Sequence, residues 1–223
     1  MQNILVFRRG QQFNARRLAK SLVVGLRARG RLGGWLALVF LLMSTGCTQE
    51  PRVTFLPNEA YFDALIPHLA QAKHEIVIGM FLFAPGDHEN NRANQVKEAL
   101  IDAAKRGVRV RVLLDASDDA DFSTEANRGI AKELRRRGVS VQFDSPTRTT
   151  HTKLVIIDQR YVFLGSHNFT HSALRHNNEA SVLIESAKLA QQALNYLQGI
   201  GGLSGQEMAS GPEGRRLPAR QSR

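Results

Sequence analysis

Between residues 53 and 197 the chain alternates short runs rich in Val, Ile, Leu and Phe with longer amphipathic runs, a rhythm that admits few architectures. Short apolar runs must pair in a sheet to satisfy their backbones, and the intervening amphipathic runs must lay their apolar stripes on it. The expectation is one α/β domain, a mixed β-sheet flanked by helices on both faces. Strands are expected at 75–83, 108–114, 139–143, 153–157, 161–165 and 179–184. Helices are expected from Asn58, a plausible N-cap, through Leu69 with Pro67 weakening its middle, and then at 90–106, 124–137 and 187–197. Gly107 and Gly138 stop the second and third of these, and Pro85-Gly86 closes the first strand. There is no internal repeat.

The two ends read differently. Residues 35–43, WLALVFLLM, form an apolar stretch preceded by basic residues and followed by Ser44, Thr45, Gly46 and Cys47. That is the order of an export signal, and the stretch is shorter than the roughly 20 residues a spanning helix needs. Residues 1–47 are therefore expected to be a signal peptide or a lipoprotein leader. Ser-Thr-Gly-Cys resembles a lipobox, with Cys47 as the lipidated residue, although Ser44 stands where such leaders usually carry Leu; the alternative is a small-residue cleavage region with an incidental cysteine. Either reading predicts export to a bacterial envelope, periplasmic or membrane-anchored. The catalytic domain is expected at 53–198, and the Gly- and Pro-rich residues 199–223 as a disordered tail.

A net charge of +10 looks like a nucleic-acid footprint until it is located. Arg8, Arg9, Arg16, Arg17, Lys20, Arg27, Arg29 and Arg31 fall in the leader, which has no acid, so the domain itself is close to neutral. Bulk charge thus favours no partner, and Arg135, Arg136 and Arg137 read as a solvated helix end before a basic surface. Cys47 is the only cysteine, which excludes an internal disulfide and a multi-cysteine metal site. Asp115, Asp118, Asp119 and Asp121 lack the spacing of a calcium loop and are expected to be solvated. His167, His171 and His176 are too irregularly spaced for a metal site and are expected at the surface or the substrate rim; His68, His74 and His88 are expected to be ordinary. No metal and no cofactor are expected.

The chemistry lies in His151-x-Lys153-x4-Asp158-x6-Gly165-Ser166-x-Asn168. His151 and Lys153, two apart in an extended run, would share a face about 6.6 Å apart along the chain. Asp158 has the other parity, which suggests a structural task such as fixing the turn. With Gln159-Arg160 as a two-residue hairpin loop, 158 opposes 161, and Ser166 and Asn168 fall opposite Lys153 and His151. Such a cluster suits attack at phosphorus: imidazole as nucleophile, with Lys153, Ser166 and Asn168 binding the phosphate oxygens. Six fixed positions would arise by chance on the order of a few times in a million chains, so the pattern is not incidental.

The segment HTKLVIIDQRYVFLGSHNFT resembles the signature of the phospholipase D superfamily, and the likeness extends back through AAKRGVRVRVLLD and forward through NNEASVLI. It covers roughly residues 53–197. The resemblance implies a two-step, metal-independent phosphodiester hydrolysis through a phosphohistidine on His151. One motif supplies one histidine, so the chain resembles single-motif members that build a shared active site across a homodimer, with the second His151 as the acid. Glu179 matches an acidic residue that in such relatives hydrogen-bonds the catalytic imidazole, and Asn177 and Asn178 would position its strand. Phospholipid is the first substrate expectation, favoured by the export signal, the neutral domain and possible membrane attachment through Cys47. A DNA- or RNA-cleaving endonuclease is the alternative, and a non-catalytic envelope binding protein is the alternative of another class.

Overall fold

The computed structural model describes residues 50–87, 90–117 and 121–201. The leader with Cys47, His88, Asp118, Asp119 and residues 202–223 lie outside that range.

Nine strands and five helices are seen among the described residues: β1 (Arg52–Pro57), α1 (Glu59–Gln71), β2 (Glu75–Met80), β3 (Phe83–Ala84), α2 (Arg92–Lys105), β4 (Arg109–Leu114), α3 (Phe122–Arg136), β5 (Ser140–Phe143), β6 (Lys153–Ile157), β7 (Tyr161–Gly165), β8 (Phe169–Thr170), α4 (His171–Arg175), β9 (Ala180–Glu185) and α5 (Ala187–Gly201). Seven strands form one sheet in the order β1-β9-β7-β6-β2-β4-β5, and β3 and β8 pair separately. β2, β4 and β5 run parallel to one another, and β2, β6, β7, β9 and β1 are successively antiparallel. The sheet is mixed, as the alternating pattern implies.

Side chains alternate across the pleat and divide the core in two. Ile76, Ile78, Val110, Val112, Val155, Ile157 and Phe163 face α1 to α4, while Val77, Leu113, Leu154, Ile156 and Val162 face Ala190, Leu194 and Leu197 of α5. Every residue of β2 and β6 is buried, which is why, beyond Glu75 and Lys153 at their starts, both read as apolar runs in place of alternating ones. Gly107 and Gly138 both adopt φ 88° directly after α2 and α3, a conformation that an L side chain would strain.

Four features depart from the sequence expectations. The strand expected at 75–83 ends at Met80, because Asn127 of α3 captures the chain beyond it: Asn127 Nδ2 donates to Phe81 O (2.7 Å) and Phe83 N donates to Asn127 Oδ1 (2.9 Å). β1 gave no alternation to read, since all of it but Leu56 is exposed at the edge of the sheet. Asn58 does precede α1, but its side chain accepts from Glu179 N (2.9 Å) and caps no N–H of the helix. Finally, the hairpin register is one residue from that expected.

Ile157 pairs with Tyr161 and Leu154 with Leu164, leaving a three-residue loop at 158–160. Lys153 and Ser166 are therefore not cross-strand partners, and the expected opposition of Ser166 to Lys153 and of Asn168 to His151 across the hairpin does not occur. The cause lies in Asp158, which turns the chain with φ 51°, followed by Gln159 at φ 50°. Its carboxylate accepts from Lys73 N (2.9 Å), His74 N (2.8 Å) and Glu75 N (3.1 Å), stapling the hairpin to the start of β2. Aspartate tolerates the left-handed region better than most residues, so one side chain makes both the turn and the staple.

Burial alone would raise the Asp158 carboxyl, but the His74, Lys73 and Glu75 N–H donors hold it below its ordinary value. A depressed folded pKa contributes stability above the unfolded value near 4 and loses it as pH falls through the folded value. Asp158→Ala should cost about 2 kcal/mol at pH 7, and the gap between the wild-type and variant unfolding curves should narrow as acid protonates the carboxylate, leaving the pH-independent cost of alanine at φ 51°. Urea denaturation at pH 7 and in acid measures the difference.

Candidate active site

The end of β2 and the start of β6 create one half of the site. Phe81 N donates to Thr152 O (2.9 Å), which holds the segment before β6 against the residue where β2 breaks. The exposed His151 ring rests against Phe81 with centroids 4.4 Å apart. Lys153 Nζ lies 4.7 Å from the centroid of the same phenyl ring and donates to His151 O at 3.1 Å. Phe81 thus sets the imidazole and ammonium on one aromatic platform. Lys153 is buried, with 6% of its surface exposed, and burial lowers its pKa while Glu179 and then Asp115 pull it back up. It is a desolvated cation in the field of two carboxylates, an arrangement fitted to exchange that field for a phosphate.

The second half forms where β7 passes to β9. Ser166 Oγ donates to Glu179 Oε2, and Asn177 Nδ2 donates to Glu179 Oε1 (3.1 Å). Ala180 N donates to Ser166 Oγ (3.0 Å) and Ser166 N to Ala180 O (3.1 Å). Glu179 is held at its backbone by Asn58, whose N donates to Glu179 O at 2.9 Å. Gly165 is required by this closeness: a Cβ there would lie 2.5 Å from Ala180 O and nearer still to Ser181. Asn168 Oδ1 is buried and has no hydrogen-bond partner among the described residues, an acceptor whose amide is placed without being used by the fold.

Of the six residues singled out by sequence, Asp158 stands apart. His151 and Lys153 stand together, and Glu179, with Ser166, faces Lys153 across a distance over which charge still acts. Glu179 accepts from Ser166 and Asn177 and does not hydrogen-bond His151 within this chain, contrary to the pairing that the resemblance implies. Asp158 lies at the far end of β6, on its staple to β2.

Asp115, expected to be solvated, is buried, and Asp144 and Asn127 carry no signal in the sequence, because periodicity carries no information about buried polar partners. Thr150 N, one residue before His151, donates to Asp115 Oδ1 at 2.5 Å. Asp144 is buried beside it and accepts from Ala116 N (3.0 Å). Asn127, completely buried, donates to Asp115 O (2.8 Å) as well as holding the β2 break. His167 is no rim residue either. It is completely buried, stacked on Tyr61 with ring centroids 4.3 Å apart and hydrogen-bonded to Ser181 Oγ (2.7 Å) and Asn58 O (2.9 Å), and burial lowers its pKa. His171 accepts from Arg92 N at 3.2 Å, and only His176 of the three is exposed. Arg135 is exposed at the end of α3, where Nε and Nη2 both donate to Val141 O (3.0 and 2.7 Å). Among the described residues, no group of three or more His, Cys, Asp or Glu could hold a metal ion.

With this geometry in place, the comparisons with known proteins are decisive for the family. The family model described as "Cardiolipin synthase, PLD-like domain" matches residues 65–200. The chain belongs to the phospholipase D-like family. It is 41% identical over 104 residues to a phospholipase D of Rickettsia prowazekii, covering 46% of this chain and 46% of that one. It is 30% identical over 147 residues to cardiolipin synthase B of Escherichia coli, covering 64% and 34%. The chain spans about half the length, or less, of these curated relatives. Among solved structures, the phospholipase D family member Nuc from Salmonella typhimurium aligns with TM-score 0.56 and 25% identity over 67% of this chain and 93% of that one. NucT from Helicobacter pylori aligns with TM-score 0.55 at 18% identity, over 68% and 96%, a likeness of fold.

Two testable consequences come from the buried polar groups. Burial, and secondarily the neighbouring Asp144, raise the Asp115 carboxyl, despite the stabilising Thr150 N–H. A carboxyl raised on folding favours the native state below its unfolded pKa near 4, and that stabilisation is lost as pH rises through the folded value. Asp144→Asn keeps the acceptor for Ala116 N while removing one of the two charges, so it should gain about 1 kcal/mol at pH 8 and less at pH 4, read as thermal unfolding at both. Asn127→Leu leaves Phe81 O, Phe83 N and Asp115 O without their partner and should cost about 3 kcal/mol in denaturant titrations.

Proposed function

We propose that this protein is a phosphodiester hydrolase in which His151 attacks phosphorus, and that phospholipid is its substrate. The observation that carries the reading is the exposed His151 imidazole beside the buried Lys153 ammonium on the Phe81 ring, in a chain of the phospholipase D-like family. In the first step an imidazole nitrogen forms the P–N bond as the P–O bond to the leaving alcohol breaks. The alcohol takes its proton from His151 of the partner subunit, acting as general acid. In the second step that same imidazole, now neutral, takes a proton from water as the water oxygen attacks phosphorus, releasing phosphate ester and restoring His151. Lys153 offsets the charge on the non-bridging oxygens, Asn168 Nδ2 donates to them, and Ser166 does so by exchanging its bond to Glu179 for one to the phosphate.

The single motif in this sequence supports a shared site: one nucleophile and one acid are needed, and a second copy would bring the second His151. Homology supports the lipid reading, since the Rickettsia prowazekii and Escherichia coli relatives are a phospholipase D and a cardiolipin synthase. The leader's position before the domain, with membrane attachment through Cys47, would bring the enzyme to lipid at an envelope surface.

His151→Ala should reduce turnover of phosphatidylglycerol vesicles and of bis(p-nitrophenyl) phosphate by about 10⁴-fold or more while leaving the thermal unfolding profile intact. Excess EDTA should leave wild-type rates within a factor of about two. Persistent turnover in the His151→Ala protein would refute the nucleophile, chelator-abolished turnover would refute the metal-independent route, and an active monomer by light scattering would refute the shared site.

A further inference from the structure

A cavity of about 420 Å³ opens at the site and is lined there by His151, Lys153 and Gly165. From this end it runs between the β6–β7 hairpin and α5, over Leu154, Val162, Leu164, Leu189, Ala193 and Tyr196. Among the described residues, Lys153 is the only formally charged one on its wall. A nucleic-acid strand leaving the site along this path would have each further phosphate set against aliphatic carbon, with no cation to replace its lost counterions. An alkyl chain leaving the phosphodiester along the same path would instead remove apolar wall from water.

The apolar wall does not stop at the cavity. Leu154 pairs with Leu164, Leu164 with Val182, and Val182 with Phe55, so four apolar residues form one cross-strand row to the edge of the sheet. Leu164 is 43% exposed, Phe55 64% and Tyr196 54%, large side chains whose surface the described fold leaves uncovered. The row reaches into the cavity at one end and open solvent at the other, as an aliphatic surface contiguous with His151 would need to do to accept a chain still partly held in a bilayer.

We infer that the trough between β7 and α5 is an acyl-chain subsite, holding the hydrocarbon of a lipid whose phosphodiester lies at His151 and Lys153. This rests on the hydrolase reading above and assigns that site its lipid class: a diacyl phosphodiester presented at a membrane surface. Ala193 faces the middle of the trough on α5, where a larger side chain would fill the space, and Leu164 forms its exposed lip.

The test compares full-length wild-type protein with Ala193→Trp and Leu164→Ser on three probes: dioleoyl phosphatidylglycerol vesicles, bis(p-nitrophenyl) phosphate and a single-stranded DNA oligonucleotide. The ratio of vesicle to bis(p-nitrophenyl) phosphate turnover should fall about tenfold or more in Ala193→Trp and in the same direction in Leu164→Ser, with the state of assembly by light scattering equal to wild type. An unaltered ratio overturns the subsite. So does conversion of either variant to monomer with parallel loss of both activities, which would make the trough a contact between copies of this chain. Wild-type protein that cleaves the small diester and DNA but not vesicles overturns the subsite while leaving the hydrolase standing; wild-type protein inert on all three overturns the hydrolase itself.

Discussion

The antiparallel pairing of β2 with β6 is the constraint on which the rest of the molecule depends. Both strands are buried on both faces, so neither can be displaced without exposing parts of both cores. At one end of the pair Asp158 staples the β6–β7 turn to the first residues of β2, and at the other Phe81 N reaches Thr152 O. His151 and Lys153 are delivered at this second end. The chemistry thus sits at the margin of the two fully buried strands, while the side chain that must meet substrate, His151, remains exposed.

Buried polar groups complete the arrangement from elements distant in sequence. Asn127 of α3 breaks β2 at Phe81 and so sets the ring against which both His151 and Lys153 rest. Asp115 at the end of β4 fixes Thr150, and Asn58 before α1 fixes Glu179. Each binds backbone groups that strand pairing leaves free, and those of Phe83 and Thr150 would otherwise be buried without partners. The site is therefore a product of strand ends, and its electrostatics, a desolvated ammonium between Glu179 and Asp115, derive from the same residues that hold the chain in place.

The order of strands and helices was legible because their signals are local: apolar runs for the buried strands, amphipathic spacing for the helices, glycine at positive φ for their ends. Strands β6 and β7 have the limits that the sequence indicates. Their register was not legible, because it turns on whether Asp158 precedes the loop or belongs to it, and that is decided by N–H donors 83 to 85 residues away. The same limit explains β1, whose exposed edge carries no alternation, and His167, Asp115 and Asn127, polar residues with buried partners in other elements. The motif picked out His151 and Lys153 as neighbours, but the platform beneath them, Phe81, reads in sequence as one more apolar residue of a strand.

All of this converges on one atom-level claim, that phosphorus becomes bonded to His151 during turnover. The direct measurement is to quench the protein in alkali during steady-state hydrolysis of bis(p-nitrophenyl) phosphate, digest it, and map the adduct by mass spectrometry under conditions that preserve phosphoramidates. A p-nitrophenyl phosphate adduct on the peptide containing His151, fragmenting to place the mass on the imidazole and disappearing when substrate is exhausted, is the result expected. Turnover with an adduct on another residue, or with His151 unmodified at every quench time in an enzyme shown to release a burst of p-nitrophenol, would contradict it.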